Sequence, residues 1–124
     1  MSARSREVDR VPVDTGVEGE VTDVSVEVLE AYAESAALEV EGVARIVEPA
    51  ESLAGRFRSG RGIRLVVDEE TGEVEVHLHL QLYYGMRLAE VATEAGERVR
   101  QTLSSAVRVG QVVVRVEDLA LPER

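Results

Sequence analysis

The chain has 124 residues, of which 44% are apolar, a length and composition that suit a single globular domain. It contains no cysteine, which excludes disulfides, thiolate nucleophiles and thiolate metal sites. All fourteen basic residues are arginine, and the formal net charge of −10 disfavours non-specific nucleic-acid binding, because that binding depends on neutralising phosphates.

The N-terminal part divides into a tail and a helix. Residues 1–19 show no sustained period and are interpreted as a flexible tail, and a short strand around Glu20–Val24 is compatible with the sequence. From Ser25 onward the apolar residues recur at helical spacing, which predicts an amphipathic helix with Ser25 as its N-cap and Gly42 as its stop. The predicted apolar face comprises Val28, Leu29, Tyr32, Ala33, Ala36, Val40 and Val43. The predicted solvated face comprises Glu27, Glu30, Glu34, Glu39 and Glu41.

The middle of the chain is predicted to form a long loop and then a hairpin. Between Ala44 and Gly62 glycine and arginine are frequent, which indicates a loop, with a helical turn near Ala50–Gly55. A strand follows at Ile63–Val67. From Val74 to Leu82 every second residue is apolar, and this period-two alternation predicts a half-buried strand. Gly72 can supply the positive φ that a turn between the two strands requires.

The C-terminal part is predicted to form a second helix and a last strand. An apolar stripe at helical spacing places the helix at Arg87–Ser105, and Gly96 inside it is interpreted as a point of close packing between the helices. The last strand spans Val107–Val116. The order (β)αββαβ predicts an α+β fold, with two helices on one face of a small mixed or antiparallel sheet. The other face of the alternating strand is expected to be open to water or to another subunit.

Four stretches of the chain together resemble a known family. They are Val24-Ser-Val-Glu-Val-Leu-Glu-Ala-Tyr-Ala, Glu39-Val-Glu-Gly-Val43, the alternating strand ending in Tyr84-Gly85, and Leu88-Ala-Glu-Val-Ala. In order and spacing, over roughly residues 20–118, they resemble the Asp23/Gls24 family of alkaline-shock and envelope-stress proteins. We therefore expect a tail at residues 1–19, one Asp23/Gls24-like domain at 20–119 and a C-terminal tail at 120–124.

The resemblance implies a cytoplasmic bacterial stress-response protein that is not an enzyme. Such proteins self-associate, and some are held at the membrane by a separate anchoring protein. The family has no agreed catalytic motif, so no catalytic residue and no cofactor is expected. No segment approaches the roughly 18 consecutive apolar residues of a membrane helix, in line with a cytoplasmic location. The tail before Gly19, the arginine-rich loop and the lack of lysine depart from the family pattern and leave the partner open.

Two histidines on the alternating strand form a candidate metal site. His77 and His79 are two residues apart, so their side chains point to the same face about 6.6–6.8 Å apart at the backbone. Glu75 on that face is a candidate third ligand, and a catalytic zinc would add an open water position. Because no second His or Cys cluster completes a tetrahedron, the alternative is a polar face whose histidines are solvated or lie in a subunit interface. There they could make the interface sensitive to pH.

Two further sites are candidates for binding a partner. Arg56, Arg58, Arg61 and Arg64 form the local positive patch of an acidic chain, and could bind phosphate, anionic lipid or an acidic protein. The alternative is that these arginines pair with the protein's own carboxylates. Tyr83 falls on the polar face of the alternating strand and is a candidate interface residue together with the two histidines.

These features predict a non-enzymatic interaction protein that self-associates and docks to protein partners, near the membrane where a partner is anchored there. The alternative is a metal-binding protein or metal-dependent enzyme that uses Glu75, His77 and His79. Nucleic-acid binding through the arginine-rich segment is not expected, because it would have to overcome the charge of the whole chain.

Overall fold

The computed structural model describes residues 5–13, 15–48 and 62–121, which form an α+β fold, as the sequence predicts. The elements are β1 (Ser5–Arg6), β2 (Arg10–Val13), β3 (Thr22–Ser25), α1 (Val26–Leu38), β4 (Val43–Ile46), β5 (Ile63–Asp68), β6 (Val74–Tyr83), α2 (Leu88–Leu103) and β7 (Val109–Ala120). A small two-stranded sheet pairs β2 with β3, and the other five strands form a larger sheet.

Strand β6 is the centre of the larger sheet, because three strands pair with it. β5 and β4 lie end to end along one edge and are both antiparallel to β6: Ile63 pairs with Leu78, and Ile46 pairs with Leu80. β7 runs parallel to β6 along the other edge over nearly its whole length. β1 extends the sheet beyond β5. The sheet is therefore mixed, one of the two arrangements that the sequence predicts.

The alternation of β6 is confirmed by the burial of its inward side chains. Five of them are completely buried: Val74, Val76, Leu78, Leu80 and Leu82. Both helices pack over this face, and α2 contributes Ala95 and Val99, which are also fully buried. Each buried valine or leucine contributes roughly 1.5–3 kcal/mol relative to exposure, so this layer is the main source of stability.

The turn between β5 and β6 forms at the predicted place. Gly72 has a φ of +79°, and its amide donates to the carbonyl of Asp68 at 2.7 Å. The carboxylate of Asp68 accepts a hydrogen bond from the amide of Glu70 at 2.9 Å. Gly72 therefore supplies the left-handed conformation that this turn requires.

Helix α1 begins where predicted, but it is rotated relative to the prediction. The Ser25 hydroxyl accepts from the amide of Glu27 at 3.1 Å, which confirms the N-cap. The buried positions are Val26, Leu29, Glu30, Ala33, Ala36 and Ala37. Val28 and Tyr32, predicted to be core residues, are exposed, whereas Glu30, predicted to be solvated, is 2% exposed. The prediction was wrong at these positions because α1 is apolar on two sides. The side that carries the small alanines is the one that packs against the core.

Close packing at Gly96 is confirmed, but the neighbour is a strand and not the first helix. A Cβ at this position would lie 3.2 Å from Cγ2 of Val114 and 3.6 Å from Cγ1 of Val112, both on β7. Gly96 therefore lets α2 approach the edge strand.

Three short strands lie where the sequence analysis predicts a tail or a loop. β1 and β2 fall within residues 1–19, which the sequence analysis interprets as a flexible tail. Val11 of β2 is 1% exposed and belongs to the core. β4 begins at Val43, one residue before the predicted loop, and extends into it. The predicted turn at Ala50–Gly55 lies outside the described residues. The short strands escaped prediction because runs of two to four residues show no measurable period.

Candidate functional site

The two histidines of β6 each bind a different carboxylate. Nε2 of His77 lies 3.0 Å from a carboxylate oxygen of Glu75, two residues away on the same strand. Nδ1 of His79 lies 2.6 Å from a carboxylate oxygen of Glu117 on β7. The pairing follows from the strand geometry, since side chains of alternate residues and of neighbouring strands share one face.

This pairing separates the candidate metal ligands into two groups. Glu75 and His77 come together as predicted, but His79 binds Glu117. Within residues 5–13, 15–48 and 62–121, no group of three or more His, Asp or Glu side chains is arranged to hold a metal ion. The described residues therefore provide no support for the metal-binding alternative.

The centre of the polar face is more enclosed than predicted. His79 is 6% exposed and Gln81 is 9% exposed. The Gln81 amide donates to Asp118 at 3.0 Å and its carbonyl oxygen accepts from Arg45 at 3.1 Å. The expectation of an open face was therefore wrong at these two residues, because long polar side chains from β4 and β7 lie over them. The polar side chains of this face therefore bind each other, and the buried ones have hydrogen-bond partners within the sheet.

The environment shifts the pKa of His77 and of Asp118. Burial is the largest cause that lowers the pKa of His77, and the positive charge of Arg64 lowers it further, while Glu75 opposes both. The hydrogen bond from Gln81, followed by that from the amide of Leu119, lowers the pKa of Asp118. Both residues therefore favour the unprotonated form.

An open cavity of about 370 Å³ lies between α2 and β7, and another of about 610 Å³ lies on the polar side of the sheet. The larger cavity is lined by Arg45, Ile46, Val47, Glu48, Glu117 and Asp118. Three carboxylates against one guanidinium make its lining negative, so it favours cationic over anionic groups.

The predicted arginine patch is described at only one of its four residues. Arg64 lies opposite His77 in the sheet, and its Nε is 3.9 Å from a carboxylate oxygen of Glu7. This contact matches the alternative in which the arginines pair with the protein's own carboxylates. Arg56, Arg58 and Arg61 lie outside the described residues, and their role in anion binding stays a prediction.

The interface residues predicted on β6 offer little free surface. The side chain of His77 is 15% exposed and that of His79 is 8% exposed. Tyr83 is half-buried, and its amide donates to the carbonyl of Gly42 at 2.8 Å. Of the three, Tyr83 at the end of the strand is the best placed to contact another molecule, and that role stays a prediction.

The outer edge of β7 is a feature that the sequence analysis missed. In the described part of the chain, β7 pairs only with β6, so the other side of this twelve-residue strand is an open edge. Val116 and Leu119 on this strand are 39% and 41% exposed. The run of valines in the C-terminal strand was the available signal, but a sequence does not show which strand lies at an edge.

The fold and the site thus define a small α+β domain with an open sheet edge and an internally paired polar face. A model of the Asp23 family, described as having a cell envelope-related function, matches residues 15–121. The chain therefore belongs to the Asp23 family, which confirms the resemblance given by its sequence. Comparisons with curated proteins and with solved structures gave no match. Of the helices in the described ranges, none is long and apolar enough to cross a membrane.

Proposed function

We propose that this chain acts by binding and not by catalysis, and that it self-associates and docks to protein partners in the envelope-related role of its family. Attachment near the membrane would come from a partner that is itself anchored there. The open outer edge of β7 is the observation that best supports self-association, because unpaired backbone N–H and C=O groups are a template for pairing with another strand.

The chemistry of β7 favours a second copy of the chain at this edge. Val116 and Leu119 on this strand are exposed, so pairing would also bury apolar surface. The strand contains Arg115 as well as Glu117 and Asp118, so two antiparallel copies can place opposite charges side by side. Register shifts along the β6–β7 pair and these charges also limit unspecific pairing, which favours a defined partner.

Sedimentation of tag-free protein over a concentration series tests this proposal. We expect the mass of the wild-type protein to rise with concentration and to be unaffected by a chelator. The double variant Val116→Lys and Leu119→Lys should remain a monomer, because two lysines oppose both apolar contact and edge pairing. Val21→Lys is the matched control, because Val21 is 94% exposed on a different part of the domain. We expect this variant to associate like the wild type.

Three results would contradict the proposal. A wild-type monomer at every concentration would reject self-association, and an unchanged mass of the β7 variant would reject the edge as its site. A mass that depends on the chelator would instead support the metal-binding alternative.

A further inference from the structure

The outward face of α1 is apolar, as its buried face is. Three of its large side chains are exposed: Val28 by 41%, Tyr32 by 56% and Leu38 by 42%. Two small exposed residues, Ala31 and Ser35, lie between them. At about 100° of rotation per residue these five residues occupy one side of the helix, about 120° wide. We call this surface the outer stripe of α1; it consists of Val28, Ala31, Tyr32, Ser35 and Leu38.

A helix face that only meets water is usually charged, and the outer stripe is not. Its residues recur at three- and four-residue spacing, the pattern by which one helix packs against another. Tyr32 lies near the middle, and tyrosine is among the residues that contribute most to binding, because it buries a large apolar ring while its hydroxyl stays hydrogen-bonded. The outer stripe therefore has the composition of a contact surface.

The charges around the stripe indicate what can bind it. The charged residues of α1 are all acidic: Glu27 is exposed and Glu34 half-buried beside the stripe, whereas Glu30 is buried. Glu39 follows the helix, and Arg98 of α2 pairs with it at 3.2 Å. The stripe is thus bordered by the carboxylates of Glu27, Glu34 and Glu39. Two copies in contact through it would bring these carboxylates together, and an anionic membrane surface would be repelled in the same way.

We propose that the outer stripe of α1 binds an amphipathic helix of a partner protein, with lysine or arginine beside the apolar residues of that helix. Such a helix satisfies both the apolar stripe and its acidic border. The 13 residues of α1 make it about 20 Å long, enough to contact roughly two heptads of the partner. This proposal rests on partner docking in the proposed function, and assigns it a surface separate from the β7 edge.

Binding of two synthetic helical peptides tests the proposal. Both have about three heptads with leucine at the apolar positions; one has lysine and the other glutamate at the flanking positions. With the peptide labelled, fluorescence anisotropy gives the Kd for the full chain. We expect the lysine peptide to bind and the glutamate peptide not to bind. The triple variant Val28→Gln, Tyr32→Gln and Leu38→Gln should weaken binding of the lysine peptide by at least about tenfold.

A matched control separates the stripe from general attraction between an acidic protein and a basic peptide. Val17 and Val21 are exposed by 54% and 94% outside both proposed surfaces. The double variant Val17→Gln and Val21→Gln should bind the lysine peptide like the wild type. Equal binding of this peptide to the triple variant, or no binding to the wild type, would overturn the proposal.

Two further measurements test the other occupants of the stripe. If a second copy covers it, the triple variant will sediment with a lower mass than the wild type; we expect the same mass. If another part of this chain covers it, Tyr32 will resist chemical nitration in dilute protein. We expect Tyr32 to react as fast as Tyr84, whose exposure of 63% is similar to the 56% of Tyr32. Self-association through β7 can fail while the peptide still binds, so failures of the two proposals are distinguishable.

Discussion

Val47 and Gly62 are fifteen residues apart in the sequence, yet both bind the backbone of His79. The amide of Val47 donates to the carbonyl of His79 at 2.9 Å, and the amide of His79 donates to the carbonyl of Gly62 at 2.8 Å. A Cβ at Gly62 would contact the carbonyl oxygen of Val47 and lie 2.7 Å from Cγ2 of Ile46. β4 and β5 therefore meet at one residue of β6 and extend its edge almost as a single strand.

Replacing Gly62 with alanine should destabilise the fold. The added methyl group would contact backbone that is fixed by the hydrogen bonds to His79, and overpacking of this kind costs about 1–3 kcal/mol. Urea unfolding of Gly62→Ala measures the loss. Gly110→Ala is the control: its Cβ would lie 2.9 Å from Oε1 of Glu73, the movable end of a long, half-buried side chain. We expect this variant within about 0.5 kcal/mol of the wild type, and equal effects would contradict the argument.

His77 should make stability depend on pH near neutrality. Because burial and Arg64 lower its pKa in the folded protein, the unfolded chain binds more protons around the ordinary value of about 6.5. The free energy of unfolding should therefore be at its full value above this pH and should decrease as the pH is lowered through it. Urea unfolding from about pH 8 to about pH 5 should show a smaller fall in His77→Gln than in the wild type. The same slope in both proteins would contradict the assignment.

The contact between His79 and Glu117 should couple β6 to β7 energetically. The two side chains are 8% and 31% exposed, so water screens their interaction only partly. We expect a double-mutant cycle with His79→Gln and Glu117→Gln to give a coupling of about 1–2 kcal/mol in urea unfolding.

The pair of Arg87 and Glu90 serves as a reference for this cycle. Its atoms are 3.2 Å apart, but its side chains are 82% and 70% exposed. A cycle on this pair should give at most about 0.5 kcal/mol, as is typical of solvated ion pairs. A similar coupling for both pairs would show that enclosure of His79 does not strengthen its contact.

The sequence predicted β6 well because one physical pattern determines its position. Alternation over nine residues admits only one inward face, and the burial of Val76, Leu78 and Leu80 confirms it. Capping at Ser25 and the turn at Gly72 were also predictable, since each depends on local backbone chemistry.

The sequence could not determine the rotation of α1 or the partners of the polar residues. Val28 and Leu29 are adjacent and both apolar, so periodicity alone fits either as the inward residue; Leu29 is buried and Val28 is exposed. The contact of His79 with Glu117 depends on the parallel pairing of β6 with a strand 38 residues away in sequence. Such a contact follows from topology and leaves no local signal.

The parallel pairing of β6 and β7 has a consequence for synthesis of the chain on the ribosome. β4, β5 and β6 can pair as soon as residue 83 has emerged, but the other edge of β6 stays unpaired until α2 and then β7 have followed. At typical translation rates this interval lasts on the order of seconds. A nascent chain therefore presents the unpaired edge of its central strand to neighbouring nascent chains, and truncation before residue 109 would leave that edge permanently unpaired.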